Sequence, residues 1–194
     1  MANLSHPARS RIDAFLPNYD FRASYQIRIN ASRSVVYECL LHSDLSELWL
    51  TRLLMTIRTG KRMRRHRMPG DLRQRLQGSG FVILEEIPED ELVIGVAGRF
   101  WRPDGGRCMD LTESNFVEFS RPGYAKVAWN FELHAELPAT EIETTILSTE
   151  TRIRCFGRAA LWKFGSYWCA VGPFSGLIRK AILKHVKAKA ESRA

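Results

Sequence analysis

The sequence predicts an α+β protein in which a curved antiparallel β-sheet wraps around a long C-terminal helix. Segments with alternating apolar and polar residues dominate residues 81–155, and one more lies near the N-terminus. From about Arg158 the apolar period becomes helical. Consecutive strands flanked by segregated helices are typical of the α+β class. We expect the sheet to curl around the last helix, an arrangement that readily leaves a gap between them.

The length of 194 residues suits one domain with a sizeable core. We expect residues 1–18, which lack a clear period, to be an extended or loosely packed lead-in segment. Residues 19–194 are predicted to form a single domain. Within it, residues 58–79 are predicted to be a basic, loop-rich insertion, because glycines and a Pro-Gly pair interrupt them.

The first elements follow from local patterns. "YDFRASYQIRI" alternates and predicts a half-buried strand. Two short helices are expected after it. The first lies in "NASRSVVYECLL", with Asn30 or Ser32 as its cap, and the second begins in "SDLSELWLTRLLMTI".

Strands then dominate the chain. "FVILEEI" and "ELVIGVAGRFW" flank Pro88, Glu89 and Asp90, which predict a tight hairpin. "NFVEF" is predicted as a short strand, "YAKVAWNFELHAEL" as the clearest one and "ETTILSTETRIRC" as the last. In the long terminal helix, Gly172-Pro173 is expected to cause a break or a kink, because proline lacks the amide donor.

Charge and cysteine use limit the functional classes. The formal charge is +8, but basic residues concentrate in residues 58–75 and 179–194, which weakens a nucleic-acid-binding interpretation. The four cysteines lack CxxC pairing and are predicted to be buried thiols in a reducing cytoplasm. The five histidines have no metal-ligand spacing, and neither a P-loop nor a GxGxxG motif is present. We therefore expect a cytoplasmic protein without metal or cofactor.

The last predicted strand contains a charged pair that could lie on either face of the sheet. Glu150 and Arg152 share one face of the last strand, and Thr149 and Thr151 share the other. The apolar set of the neighbouring strand predicts that the threonines point inward and the charged pair outward, as a surface ion pair that contributes ~0–1 kcal/mol. A register slip of one residue would exchange the faces and place a candidate catalytic pair inside.

Several stretches carry a family resemblance. "YQIRINASRSVVYECLL", "GVAGRFWRP", "FVEFSRPGYAKVAWNF", "LSTETRIRC" and "FGSYWCAVGPFSGLIRKAILKHVKAKAE" resemble the START-like superfamily, also called the helix-grip or SRPBCC fold, in an uncharacterised bacterial branch. The superfamily includes lipid-transfer, Bet v 1-like and polyketide cyclase proteins. The resemblance covers residues 19–191 and implies a cavity for a hydrophobic small molecule. It carries over no catalytic residue.

The main functional expectation is a hydrophobic or amphipathic ligand, lipid or aromatic and polyketide-like, held between sheet and C-terminal helix. Apolar walls with a few placed polar groups are typical of such pockets. The predicted lining residues are Phe100, Trp129, Phe131, Thr149, Thr151, Phe164, Tyr167 and Trp168.

Two alternatives stay open. An enzyme of the cyclase, aromatase or hydrolase type on the same fold would need an ionisable group of shifted pKa in the pocket. A binding module for an anionic surface, membrane or nucleic acid, would use residues 58–75, with Arg64, Arg65 and Arg67 at its centre. No aromatic residue interleaves with these arginines, so specific nucleic-acid binding is not expected.

Overall fold

A computed structural model describes residues 10–43, 72–76, 80–102, 104, 106–136 and 143–194. These residues form five strands and five helices. In chain order they are α1 (Ile12–Phe15), β1 (Phe21–Ile29), α2 (Arg33–Leu41), α3 (Leu72–Leu76), β2 (Phe81–Ile87), β3 (Glu91–Gly98), α4 (Glu113–Phe116), β4 (Ala125–Glu136), β5 (Thr144–Cys155) and α5 (Arg158–Glu191).

The five strands form one antiparallel sheet in the order β1-β5-β4-β3-β2. The predicted hairpin between β2 and β3 is confirmed, with Glu89 in the left-handed region at φ 63°. In β1 the even-numbered residues are exposed and the odd-numbered ones partly or fully buried, as the alternation predicted. The α+β class with an antiparallel sheet and a long C-terminal helix is thereby established.

The helix α5 lies on one face of the sheet, which we call the helix face. The main core forms there where the last turns of α5 meet α2 and the strands. Its buried members include Ile182, Leu183, Val186 and Ala190 from α5 and Val36 and Leu40 from α2. Ser32 caps α2 by accepting a hydrogen bond from the Val35 amide, so one of the two candidate caps is confirmed.

The opposite face, here called the far face, is also covered. Ile12 and Leu16 from the N-terminal segment and Phe116 from α4 pack there against Val93 and Ala128. Both faces of β3 are buried as a result. The expectation of an extended or loosely packed lead-in is therefore wrong for residues 10–16, because two buried apolar side chains anchor them to the sheet.

Two further local expectations are corrected. "NFVEF" is not a strand, because Thr112 and Asn115 form a reciprocal capping box that starts α4 and leaves Phe116 as its buried residue. The helix α5 is not broken at Gly172-Pro173, since it continues from Arg158 to Glu191 with Pro173 inside, and the kink stays a prediction. Buried residues on both sides of Pro173, among them Phe164 and Ile182, hold the helix against the sheet and offset the missing amide donor.

Some predictions fall outside the described residues. The second short helix after β1 lies there, and so do residues 58–71 and 77–79 of the basic insertion, with Arg64, Arg65 and Arg67. Within the insertion, α3 is described, and its Leu72 is buried. Among the described helices, none has the length and apolar character needed to cross a bilayer.

The cysteines divide into two groups. Cys39, Cys108 and Cys155 are buried, as predicted, but Cys169 on α5 is exposed. Burial raises the pKa of the Cys155 thiol to about 12, and Asp20 nearby adds to this effect. The expectation of four buried thiols is thus corrected for Cys169, whose position falls on the outward side of α5.

Candidate functional site

A cavity of about 250 Å³ lies between the helix face of the sheet and α5. Its floor comes from β2 to β5 and its roof from α5. The lining residues are Phe81, Ile94, Val96, Phe100, Val127, Trp129, Thr151, Ile153, Phe164, Tyr167, Trp168, Ser175, Ile178, Arg179 and Ile182. Nearly all of these side chains are apolar or aromatic, so the cavity suits a ligand with an apolar body.

Six of the eight predicted lining residues border this cavity: Phe100, Trp129, Thr151, Phe164, Tyr167 and Trp168. The other two lie behind the wall. The ring of Phe131 packs at 4.8 Å from that of Trp129 within the buried core. Thr149 accepts a 2.6 Å hydrogen bond from the Trp129 indole nitrogen and donates one of 2.7 Å to the Asn130 carbonyl. Thr149 therefore fixes a wall residue rather than facing a ligand.

An aromatic cluster builds one end of the cavity. Phe164 is its centre: Trp168 stacks on it at 5.7 Å, Tyr167 lies at 5.8 Å and Phe100 meets it edge-on at 6.2 Å. Such pairs contribute ~0.5–1.5 kcal/mol each beyond area burial. Since Phe164 is buried among these rings, this end of the cavity is a closely packed apolar surface.

The cavity contains one charged side chain among its described lining residues, Arg179 of α5. Its Nε donates to Thr151 Oγ1 at 3.0 Å, and its Nη1 donates to Ser175 Oγ at 2.5 Å. Burial lowers the pKa of Arg179 to about 10, although the nearby Tyr25 hydroxyl acts against this effect. The guanidinium therefore stays protonated near neutral pH and places a positive charge in an apolar chamber.

The inward position of Arg179 does not follow from the sequence pattern, which groups it with Lys180, Lys184, Lys187 and Lys189 on the polar side of α5. A signal is nevertheless present, because Trp168, Ser175, Arg179, Ile182 and Val186 recur at helical spacing along one stripe. Because the neighbouring basic residues lie on the polar side of α5, the sequence pattern groups Arg179 with them although it belongs to the inner stripe.

Glu150 and Arg152 lie on the face of the sheet opposite the cavity. Thr151 lines the cavity, and Glu150 and Arg152 lie on the far face, as the alternation predicted. The pair does not face water, however, so its description as a surface ion pair is corrected. Arg152 is 7% exposed, because α1 lies over it.

The N-terminal segment closes this ion pair. Arg152 donates to Glu150 and to Asp13, both at 2.6 Å, and to the Leu16 carbonyl. Arg22 forms a two-pronged pair with Glu150, at 2.9 and 2.7 Å. Burial would raise the pKa of Glu150, but the two arginines outweigh it and hold the pKa below its usual value. These groups stabilise the docking of α1 and do not contribute to the cavity.

Other polar residues of the far face are buried as well. Asn130 donates to Glu91 at 2.7 Å and accepts from the Glu150 amide, and Ser10 also donates to Glu91. A polar groove of about 810 Å³ runs beside this network, bordered by residues of α1, Glu91, Glu132 and His134. Among the described residues, no group of three His, Cys, Asp or Glu side chains is arranged to hold a metal ion.

Comparison with known proteins adds little. No family model matches the chain, and no curated protein matches it. Among solved structures, the crystal structure of TTHA0849 from Thermus thermophilus is similar over 90% of this chain and 99% of that chain, at 10% identity and a TM-score of 0.33. So weak a similarity carries no inference about the ligand or the reaction of this chain.

Proposed function

We propose that the protein is a START-like, helix-grip domain of the cytoplasm that binds a hydrophobic or amphipathic small molecule between its sheet and α5. One observation carries this proposal: the chamber between α5 and the sheet is walled by aromatic and aliphatic side chains and has three polar groups grouped on one side. Thr151, Ser175 and Arg179 are these groups. Apolar walls with a few convergent polar groups are the usual form of a small-molecule site.

Binding explains the chamber better than catalysis does. A cyclase or hydrolase would require an inward carboxylate, histidine or similar group that exchanges protons near neutral pH. Among the described lining residues the ionisable groups are Tyr167 and Arg179. Arg179, with a pKa of about 10, keeps its proton near neutral pH and serves to attract charge rather than to transfer protons. The anionic-surface alternative stays a prediction, since its arginines lie outside the described residues.

The test uses the neutral dye N-phenyl-1-naphthylamine, which fluoresces in apolar surroundings. We expect the wild type to bind it and Val127→Phe, which fills the floor of the cavity, to lose at least ten-fold in affinity. Trp162→Ala is the matched control, because Trp162 is 80% exposed on the outside of α5. This control is expected to bind like the wild type.

Two results would overturn the proposal. Equal dye binding by wild type and a folded Val127→Phe variant would place the dye elsewhere. Loss of binding in Trp162→Ala would locate it on the exposed side of α5. Circular dichroism spectra of both variants establish that they fold.

A further inference from the structure

We propose that Arg179 binds the carboxylate of the cavity's ligand, so that the ligand is an apolar monocarboxylic acid. This inference rests on the proposed function and adds the chemical class of the ligand. Its starting observation is the position of the Arg179 guanidinium, which borders the chamber beside Thr151 and Ser175.

The guanidinium is only partly satisfied by the protein. An arginine side chain has five N–H donors. Within the described part of the chain, two hydroxyl oxygens accept from Arg179, and no carboxylate forms a salt bridge with it. Three donors are therefore left for a ligand. Both hydroxyl contacts hold the side chain by its Nε and Nη1, which fixes the plane of the guanidinium.

The energetics favour an anionic partner. A charge among apolar side chains is costly unless an opposite charge or several hydrogen bonds compensate for it. The lowered pKa of Arg179 reflects this cost, since burial is its main cause. A carboxylate accepting from the free donors would supply the missing charge, and hydrogen bonds between arginine and carboxylate are among the stronger ones.

Charge distinguishes a carboxylate from a phosphate as the partner of Arg179. One arginine balances a single negative charge, whereas a phosphate monoester near neutral pH carries about −1.5 to −2 and would leave an unbalanced charge among apolar groups.

The size of the chamber limits the apolar body of the ligand. A volume of about 250 Å³ is below the ~300–1,000 Å³ common for ligand pockets. It therefore suits an acid with a medium-length alkyl chain or a small ring system, whose apolar body would lie against Phe164 and Trp168.

The experiment compares decanoate with decanol, which share an alkyl chain and differ in charge. Calorimetric titration is expected to give the wild type at least ten-fold tighter binding of decanoate. Arg179→Met is expected to remove this preference and keep decanol binding, because methionine preserves the apolar bulk. Lys180→Met is the matched control: Lys180 is the next residue, lies over the Tyr25 ring at 5.4 Å and does not line the cavity. It is expected to retain the preference.

Arg179→Lys gives a second, conservative test. It keeps the charge but loses the planar fork, so we expect a preference between those of the wild type and Arg179→Met. If the wild type binds both ligands equally, or if a folded Arg179→Met still prefers decanoate, the carboxylate inference fails while the cavity proposal stands. If the wild type binds neither ligand nor the naphthylamine dye, both fail.

Discussion

Gly95 of β3 lies directly against the ring of Phe116. A β-carbon at position 95 would stand 2.6 Å from Cε2 and 2.7 Å from Cδ2 of that ring, closer than real β-carbons approach other atoms. Phe116 is fully buried and holds α4 on the far face of the sheet. The absence of a side chain at position 95 is thus what allows this helix to dock.

Gly95→Ala is expected to destabilise the protein by ~1–3 kcal/mol, because the buried ring cannot move aside without disturbing its neighbours. Phe116→Leu removes Cε2, the nearer of the two ring atoms that would collide. The double variant should therefore be more stable than the two separate losses predict, by ~0.5–3 kcal/mol. Urea unfolding of the three variants measures this coupling. Simple additivity would mean that the contact is relaxed in solution.

Arg152 and Arg154 form a matched pair on the same strand. Arg152 is buried under α1 and bonded to Asp13 and Glu150, whereas Arg154 pairs with Asp20 at the surface. Arg152→Met should cost ~3 kcal/mol of unfolding free energy, since it leaves Asp13 and the Leu16 carbonyl without their donor.

Arg154→Met should cost ~1 kcal/mol or less, because its side chain is 43% exposed. Chemical denaturation compares the two variants directly. Similar losses for both would show that the N-terminal segment is not held through Arg152.

Lys126 predicts a dependence of stability on pH. Its side chain is buried on the far face, where Nζ donates to the Phe116 and Val117 carbonyls at 2.9 Å. Burial lowers its pKa to about 8, compared with ~10.4 in an unfolded chain. Between these two pH values Lys126 binds more protons in the unfolded state than in the folded state. The contribution of Lys126 to the unfolding free energy therefore rises with pH.

We expect the wild type to gain stability relative to Lys126→Met as the pH rises from about 8 to about 10. The comparison between the two proteins cancels the titration of other groups. Unfolding free energies at several pH values measure it. A constant difference across this range would contradict the burial of the charged amine.

The cysteines predict a simple labelling result. With Ellman's reagent at pH 8, the native protein should react rapidly at one thiol and the denatured protein at four. Cys169→Ser should abolish the rapid native reaction, because Cys39, Cys108 and Cys155 are buried and burial raises the pKa of the last two. Rapid reaction of the Cys169→Ser variant would show that the core opens.

The sequence predicted the strands and their inner faces well where the apolar residues follow a clear period of two. The period-two patterns of β1, β4 and β5 placed their inner residues correctly, so Trp129 and Thr151 could be assigned to the helix face. The far face could not be predicted in the same way. Polar residues such as Asn130, Lys126 and Arg152 normally mark a side open to water, and only contacts distant in sequence reveal that α1 and α4 cover them.

The cavity shows the same limit. The spacing of the aromatic residues of α5 predicts their place in its wall, but Arg179 escapes prediction, because a charge among four lysines normally indicates a solvated face. Its inward position depends on hydroxyl partners at Thr151 and Ser175, and Thr151 is 28 positions away. A hydrogen bond between residues so far apart in sequence cannot be predicted from the residues that flank Arg179.

The strand order has a consequence for how the chain acquires its fold. Strands β2, β3 and β4 each pair with the next strand along the chain, but β1 pairs with β5, and Arg22 meets Glu150 across 128 positions. Closing so long a loop is slow, so we expect β1 and α1 to be the last parts to gain protection in pulse-labelled hydrogen exchange. Simultaneous protection of β1 and β4 would contradict this order. On the ribosome, β1 emerges first and finds its partner only after β5 has been made, with its apolar side exposed until then.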